Sequence, residues 1–483
     1  MLKVRNPLLS TSRTLFPFAL LGLLLSLGAC TVGPDYRTPT ASLPDRIAPL
    51  TGIPSASTSL VDSQWWAAFQ DPLLDQLQSA ATTNNLDLVR ASARLREARA
   101  LWNEARFDYA PTITAEAQYL NTQSSVAAAP PTLSRDQRHI ELYRGGFDAT
   151  WELDLFGRVR RNVEATRATV EAVSATRDDV LISVRAEVAA NYVALRGLQA
   201  QLAAARDSAA NQAASLKLAE TLRDGGRGTQ LDVARAESQL NGTLATIPPF
   251  EAAIDRTIHR LGVLAGQPPR HFFNQLSPAQ VVPIVPSLPI PPEPAELLRR
   301  RPDIRAAEQS LAADTARIGV QVADLFPRVT VQGRIGLEAS RLSGLDNSGT
   351  DVWGFGPTIS WAAFDLGRVR QRIRAANARA EGTLATYQQT VLLALEETEN
   401  ALRTYERQVQ RLALLGKAVS AASEAATLAR QRYEDGVADF LAVLDAERVQ
   451  LLQQVELAGA QANAATAAIA IYKTFGGGWA IPD

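Results

Sequence analysis

The decapeptide WELDLFGRVR at Trp151–Arg160 returns 210 residues later as WAAFDLGRVR at Trp361–Arg370, and this pair decides the reading of the chain. The same offset carries Gly226, Leu231, Val233, Ala236 and Glu237 onto Gly436, Leu441, Val443, Ala446 and Glu447. Upstream, Pro111-Thr-Ile-Thr matches Pro327-Arg-Val-Thr at an offset of 216, so a loop in the second copy is six residues shorter. Self-similarity of this kind means one supersecondary unit built twice. Each copy reads helix, strand, loop, strand, very long helix, turn, helix. Copy one spans 61–267 and copy two 302–476, with a tail at 477–483. Between the copies lies a connector, 268–301; residues 268–302 hold ten of the 26 prolines.

Working outward from the decapeptides, four segments alternate apolar and polar residues with period two, the signature of a strand with one apolar face. Ile113, Ala115, Ala117 and Tyr119 alternate with Thr114, Glu116 and Gln118. Phe147, Ala149, Trp151 and Leu153 alternate with Asp148, Thr150 and Glu152. Val329, Val331, Ile335 and Leu337 alternate with Thr330, Gln332 and Arg334, and Trp353, Phe355, Ile359 and Trp361 with Gly354, Gly356, Thr358 and Ser360. The strands are expected at about 112–120, 140–153, 328–337 and 352–361, roughly the 9–11 residues that a tilted strand needs to cross a bilayer. Two ordinary surface hairpins would show the same alternation. Four strands cannot close a barrel, however, and hydrocarbon does not tolerate an open sheet edge. Barrel strands therefore require several copies of the chain, which would supply an even number of strands in every case.

The helices supply length. No proline falls between Pro131 and Pro248, or between Pro357 and Pro482. Helices are expected over about 158–222 and 368–433, each roughly 100 Å long at 1.5 Å per residue. Both end in glycine-bearing turns, Asp224-Gly-Gly-Arg-Gly228 and Glu434-Asp-Gly436, followed by return helices of about half the length that run to Gly266 and Gly476. A further single helix is expected before each strand pair, from Pro72 to Tyr109 and from Pro302 to Phe326. Ala380, Leu384, Tyr387, Val391, Ala394, Thr398, Ala401 and Tyr405 follow alternating steps of four and three, a heptad seam. A two-chain coiled coil would also show this seam, but would leave the strands unexplained.

Composition excludes several classes. The 49 basic and 50 acidic residues nearly cancel, so no strong field is available to hold nucleic acid. One cysteine rules out an internal disulfide framework and a cysteine-cluster zinc site. Neither HExxH nor a phosphate-binding loop occurs, since Gly416-Lys417 lacks the upstream glycine; His139, His259 and His271 stand in separate contexts. No catalytic residue, metal ligand or cofactor is expected, and the chain reads as a non-enzyme. Residues 1–29 read as an export signal, with Lys3, Arg5 and Arg13 ahead of an apolar run from Leu15 to Leu27 that is too short to span a membrane as a helix. The run closes on Leu27-Gly28-Ala29-Cys30, which resembles a bacterial lipobox and makes Cys30 the expected lipidation site. Residues 30–60, with a proline every five residues from Pro34 to Pro54, read as an extended tether.

In this order the motifs resemble the TolC-type outer-membrane efflux factors, specifically the lipoprotein branch, often called the NodT family, that serves resistance–nodulation–division pumps. The resemblance rests on Cys30-Thr-Val-Gly-Pro-Asp-Tyr36, Trp65-Trp66 with Phe69 and Asp71-Pro72, Asn85-Leu-Asp87, the two strand-to-helix junctions, and Leu441-Ala-Val-Leu-Asp-Ala-Glu-Arg448. It implies a mainly α, α+β fold: a homotrimeric tube with a 12-strand barrel in the outer membrane, a long periplasmic helical barrel and a small equatorial region. It implies a passive efflux duct, completed by a periplasmic adaptor and an inner-membrane pump and anchored in the outer-membrane lipid of a Gram-negative cell. By the same resemblance Leu441, Asp445 and Arg448, with Leu231 and Arg235 in copy one, match the periplasmic gate. The turns carrying Gly225, Gly226, Gly228, Gly436, Val437 and Asp439 match the adaptor contact. Asp445 and Arg448 stand three apart, hence on one helix face, and symmetry would repeat them as a ring. At the junctions Gly157 and Gly367 suit a bend, and Asp154 and Asp365 suit helix N-termini. Trp151, Trp353 and Trp361 suit an interfacial girdle, and the junction arginines suit anionic headgroups. A duct for one-step protein secretion and a structural periplasmic coiled-coil lipoprotein remain as alternatives.

Overall fold

The computed structural model describes residues 31–40, 47, 64–128, 132, 134–283, 288 and 293–477. The signal segment, Cys30, most of the tether and residues 478–483 lie outside them. Helices α1 (Pro72–Asn84) and α2 (Leu86–Phe107) lead into strands β1 (Thr112–Gln123) and β2 (His139–Leu153). Then follow α3 (Arg158–Asp224), α4 (Gln230–Leu244), α5 (Ile247–Leu264), the short α6 (Phe273–Leu276) and α7 (Pro294–Arg300), and α8 (Pro302–Ala323). Strands β3 (Arg328–Ala339) and β4 (Asp351–Ser360), and helices α9 (Leu366–Glu434) and α10 (Phe440–Thr474), complete the second copy. The architecture is mainly α with one antiparallel sheet, in the order β1-β2-β3-β4.

Two expected helices are broken. Asn85 divides the segment expected to run from Pro72 to Tyr109: its Oδ1 accepts from Asp87 N at 2.9 Å and Leu88 N at 3.2 Å, starting α2, while its Nδ2 donates to Leu264 O at 2.8 Å. A buried asparagine that caps one helix and ties down another interrupts the segment more strongly than periodicity extends it. In copy one the return helix stops at Leu244 and resumes at Ile247, because Pro248 and Pro249 have no N–H to offer Leu244 and Ala245. Its copy-two equivalent, α10, is unbroken over 35 residues.

The chain forms two compact units. One comprises residues 31–39, 95–172 and 307–387 of the described chain and carries the whole sheet. Its register sets the alternating residues of all four strands on a common face: Ala115 pairs with Phe147, Phe147 with Ile335, and Ile335 with Trp353. The next row runs Ile113, Ala149, Gly333, Phe355. The opposite face is polar, with Arg144 Nη2 donating to Glu338 Oε2 at 2.9 Å. Among the described residues β1 and β4 each pair on one side alone. In the same unit the chain following Cys30 lies on the junction: Val32 N donates to Phe156 O at 3.2 Å, Arg161 Nη2 to Asp35 Oδ1 at 2.6 Å, and Tyr36 Oη to Glu308 Oε1 at 3.1 Å.

The second unit holds the main core. Trp65 stacks on Tyr472 at 5.1 Å and packs edge-on to Trp66. Fully buried Arg196 on α3 fastens the connector, donating to Pro278 O and Gln280 Oε1 at 3.0 Å, while its neighbour Tyr192 donates to Asp71. Burial, and then the Asp71 carboxylate, push the Tyr192 hydroxyl pKa up, so it stays a donor.

Candidate functional site at the helical turns

Both long helices reverse with the same local chemistry. Just past α3 and α9, Gly226 and Gly436 take φ of 71° and 74°. A side chain there costs about 1–2 kcal/mol, so glycine suits both corners. Thr229 caps α4 through a reciprocal box with Asp232, and Asp439, its counterpart at the repeat offset, caps α10 by accepting from Leu441 N at 3.1 Å. The corners adjoin: a Cβ built on Gly436 would lie 3.4 Å from Arg227 Nη2. Gly225 and Gly228 belong to the first corner, where Gly228 N donates to Leu222 O at 2.9 Å; Val437 is exposed in the second.

Behind the corners Ala219, Val233, Ala236, Phe440, Val443 and Leu444 form a small apolar cluster of their own. Beside it α4 and α10 line a groove of about 500 Å³ whose walls include Arg235, Gln239, Leu441, Leu444, Asp445 and Arg448. Gln239 Nε2 holds the two helices together by donating to Leu444 O at 3.1 Å. Arg235 of copy one and Asp445 of copy two thus share one groove within one chain, although 210 residues separate them. Asp445 is already engaged by Arg448 Nη2 at 2.6 Å. Both side chains are exposed, so the pair itself contributes no more than ~0.5 kcal/mol. Leu231 is exposed in the first turn of α4, outside the set that lines the groove.

At the junctions the two copies differ. Gly157 takes φ of 83°, and a Cβ on it would meet Thr31 Cγ2 at 2.7 Å; Gly367 sits in the first turn of α9 with open space around it and no such conformational need. Asp154 accepts from Val159 N at 3.0 Å and Arg160 N at 2.9 Å, whereas Asp365 pairs with Arg368 Nε at 3.1 Å. The sequence reading missed the task of the repeated tryptophans. Trp151 Nε1 donates to Tyr109 O at 3.1 Å and Trp361 Nε1 to Leu325 O at 3.0 Å, each closing its own repeat. Phe440, which closes the second expected adaptor-contact turn, is buried, and so is Glu447, which the sequence marks only as the repeat counterpart of Glu237.

Among the described residues, then, a four-stranded antiparallel sheet with one apolar face and edges paired on one side alone joins long helices that reverse at paired corners, and the comparisons identify this arrangement as that of the TolC-like outer-membrane channels. The model of the family described as "Outer membrane efflux protein" matches residues 77–267 and 294–477, and the chain belongs to that family. It is similar to the solvent efflux pump outer membrane protein SrpC of Pseudomonas putida, 30% identical over 473 residues, covering 95% of this chain and 97% of that one. Nodulation protein T of Rhizobium leguminosarum bv. trifolii is 30% identical over 440 residues, covering 90% of this chain and 92% of that one. Among solved structures, the outer-membrane channel OprN superposes with a TM-score of 0.87 at 44% identity, over 93% of this chain and all of that one. The protein is an outer-membrane efflux duct with a periplasmic extension, in a family of channels rather than enzymes.

Proposed function

We propose that three copies of this chain close a 12-strand barrel and form the outer-membrane exit of a tripartite pump, through which drugs or other toxic small molecules pass without being modified. The observation that carries the reading is the sheet: two edges unpaired among the described residues, and an apolar face left bare in the single chain, with Trp353 79% and Ile335 64% exposed. In hydrocarbon an unpaired edge costs several kcal/mol per backbone group, and closure by further copies removes it. The number three is taken from the resemblance to the TolC-type efflux factors; the sheet itself asks only for several copies. A periplasmic adaptor contacts the corners at Gly225–Thr229 and Gly436–Phe440, an inner-membrane pump of the resistance–nodulation–division class supplies the energy, and Leu441, Asp445 and Arg448 with Leu231 and Arg235 close the periplasmic mouth. Cys30 carries the lipid; the docking of Val32 on Phe156 supports an anchor beside the strand-to-helix junction.

Deleting the gene and restoring it on a plasmid, with susceptibility to a panel of dyes, detergents and antibiotics as readout, tests the duct. Restoration of resistance, together with recovery of an adaptor and a pump from a cross-linked pull-down, is the expected result. Unchanged susceptibility across the panel would refute it. Mass spectrometry of the N-terminal peptide tests Cys30, with a tri-acylated cysteine expected.

A further inference from the structure

The strap that follows Cys30 covers one copy of the repeat and leaves the matching face of the other bare. Thr31–Thr38 runs antiparallel to α8. Gly33 packs so closely on Gly319 that a Cβ on it would collide with the helix backbone, and Tyr36 Oη and Thr38 Oγ1 both donate to Glu308 Oε1 at 3.1 Å. Glu308 and Gly319 stand ~16 Å apart along the helix, a length that about five extended residues span. The acid of the strap, Asp35, is taken by Arg161, whose side chain is 3% exposed and whose Nε also donates to Val32 O at 3.1 Å. Helix α2 is the counterpart of α8: each has 22 residues, and Pro302 matches Leu86 at an offset of 216. The strap-bearing face of α8, with Ala312, Thr315, Gly319 and Val322, becomes Arg96, Arg99, Asn103 and Arg106 on α2, gathered within about 60° of Asn103. All four are exposed. Arg96, Arg99 and Asn103 have no hydrogen bond or ion pair among the described residues, and Arg106 lies over the Trp102 ring at 5.2 Å. On α9, Gly367 has open space where its counterpart Gly157 meets Thr31.

We infer that this face of α2 is a docking site for an extended, acidic segment of another polypeptide, seated as the chain's own strap is seated on α8. The chain's own strap is held on α8 and is not free to fill it. Where α8 offers small, uncharged residues to a closely packed backbone, α2 offers charge, so its occupant is held by carboxylates instead of by close approach. The three guanidiniums extend ~15 Å along the helix. Side chains on one side of an extended chain recur every ~7 Å, so acids at alternate positions reach all three. Each pairing is a charge-assisted hydrogen bond, and arginine suits the carboxylate fork. Lipid headgroups match the stripe less well. It recedes from strand β1 along the helix axis, whereas the headgroups of a leaflet share one level.

Fluorescence anisotropy on the purified full-length protein in detergent tests it, with a labelled peptide that alternates glutamate and threonine as the probe. Saturable binding is expected, weakened at least several-fold by the double variant Arg96→Gln/Arg99→Gln and unchanged by Arg407→Gln, an exposed arginine on α9. A peptide of the same composition with its glutamates bunched at one end should bind several-fold more weakly. Absence of saturable binding, equal loss in Arg407→Gln, or equal binding of the bunched peptide would reduce the stripe to unspecific charge and overturn the proposal. Flotation with phosphatidylglycerol vesicles supplies the lipid arm. If the double variant loses vesicle binding and keeps peptide binding, the stripe belongs to lipid and the proposal falls. Thermal dissociation of the oligomer supplies the last arm: an unchanged temperature in the double variant is expected, and a lowered one would place the arginines between copies of the chain and overturn the docking site.

Discussion

Asp445 pairs with Arg448 along its own helix and shares a groove with Arg235 of copy one. Removing the carboxylate leaves two cations lining one groove with no acid between them, and like charges repel. Asp445→Ala is therefore expected to loosen α4 from α10 and to raise single-channel conductance in planar bilayers, along with leakage of large antibiotics. Unaltered conductance would remove the gate role. At Gly436 the backbone excludes side chains at a cost of about 1–2 kcal/mol, and Arg227 already approaches. Gly436→Leu should abolish resistance in living cells while oligomers still assemble; loss of oligomers as well would mean that the glycine serves folding instead of adaptor contact. Asn85 is a residue of the opposite kind, structural throughout. Asn85→Ala loses the cap of α2 and the bond to Leu264, and a destabilisation of about 1–2 kcal/mol is expected in thermal unfolding.

Elements divide by how completely local sequence specifies them. The strands fall at 112–123, 139–153, 328–339 and 351–360, close to where the alternation places them, because period-two patterning is read residue by residue. Register then aligns four apolar sets on one face, and this yields an element-scale prediction. Ile335→Arg puts a charge at mid-strand on the apolar face, costing about 2–4 kcal/mol if that face meets lipid. The heat-modifiable folded band in the outer-membrane fraction should fall sharply, whereas Gln332→Arg, on the polar face, should leave it unchanged. Equal tolerance of both would place the sheet outside the membrane. The heptad seam of α9 is buried as its spacing demands at Ala380, Tyr387, Val391, Ala394, Thr398, Ala401 and Tyr405, with Leu384 partly covered. Helix breaks were less legible: Pro248 and Pro249 announce one, but Asn85 interrupts its helix only because Leu264 lies within reach.

At the scale of the whole molecule, the described residues leave each edge of the sheet paired on one side alone, and the bare face carries Ile113, Phe147, Phe355 and Ile359 beside Trp353. The purified mature protein in detergent is expected to run as a trimer by light scattering and native mass spectrometry, with monomers appearing only on heating. A stable monomer, soluble without detergent, would be incompatible with a barrel shared among copies.

The amino-acid sequence by itself determined the repeat, the type and extent of the long elements, and the family, since each depends on periodicities and motifs carried along a contiguous stretch. It placed Arg235 and Asp445 at equivalent points of two copies and could not say that they share a groove. It matched Glu237 with Glu447 and could not say that one is solvated while the other is buried between two helices. Nor did it show that the repeated tryptophans each close their own copy onto a backbone carbonyl. Those facts were decided by tertiary structure, because a helix pattern fixes which residues share a face but not which face meets which neighbour. Two copies that begin from nearly the same pattern therefore diverge once they pack against each other.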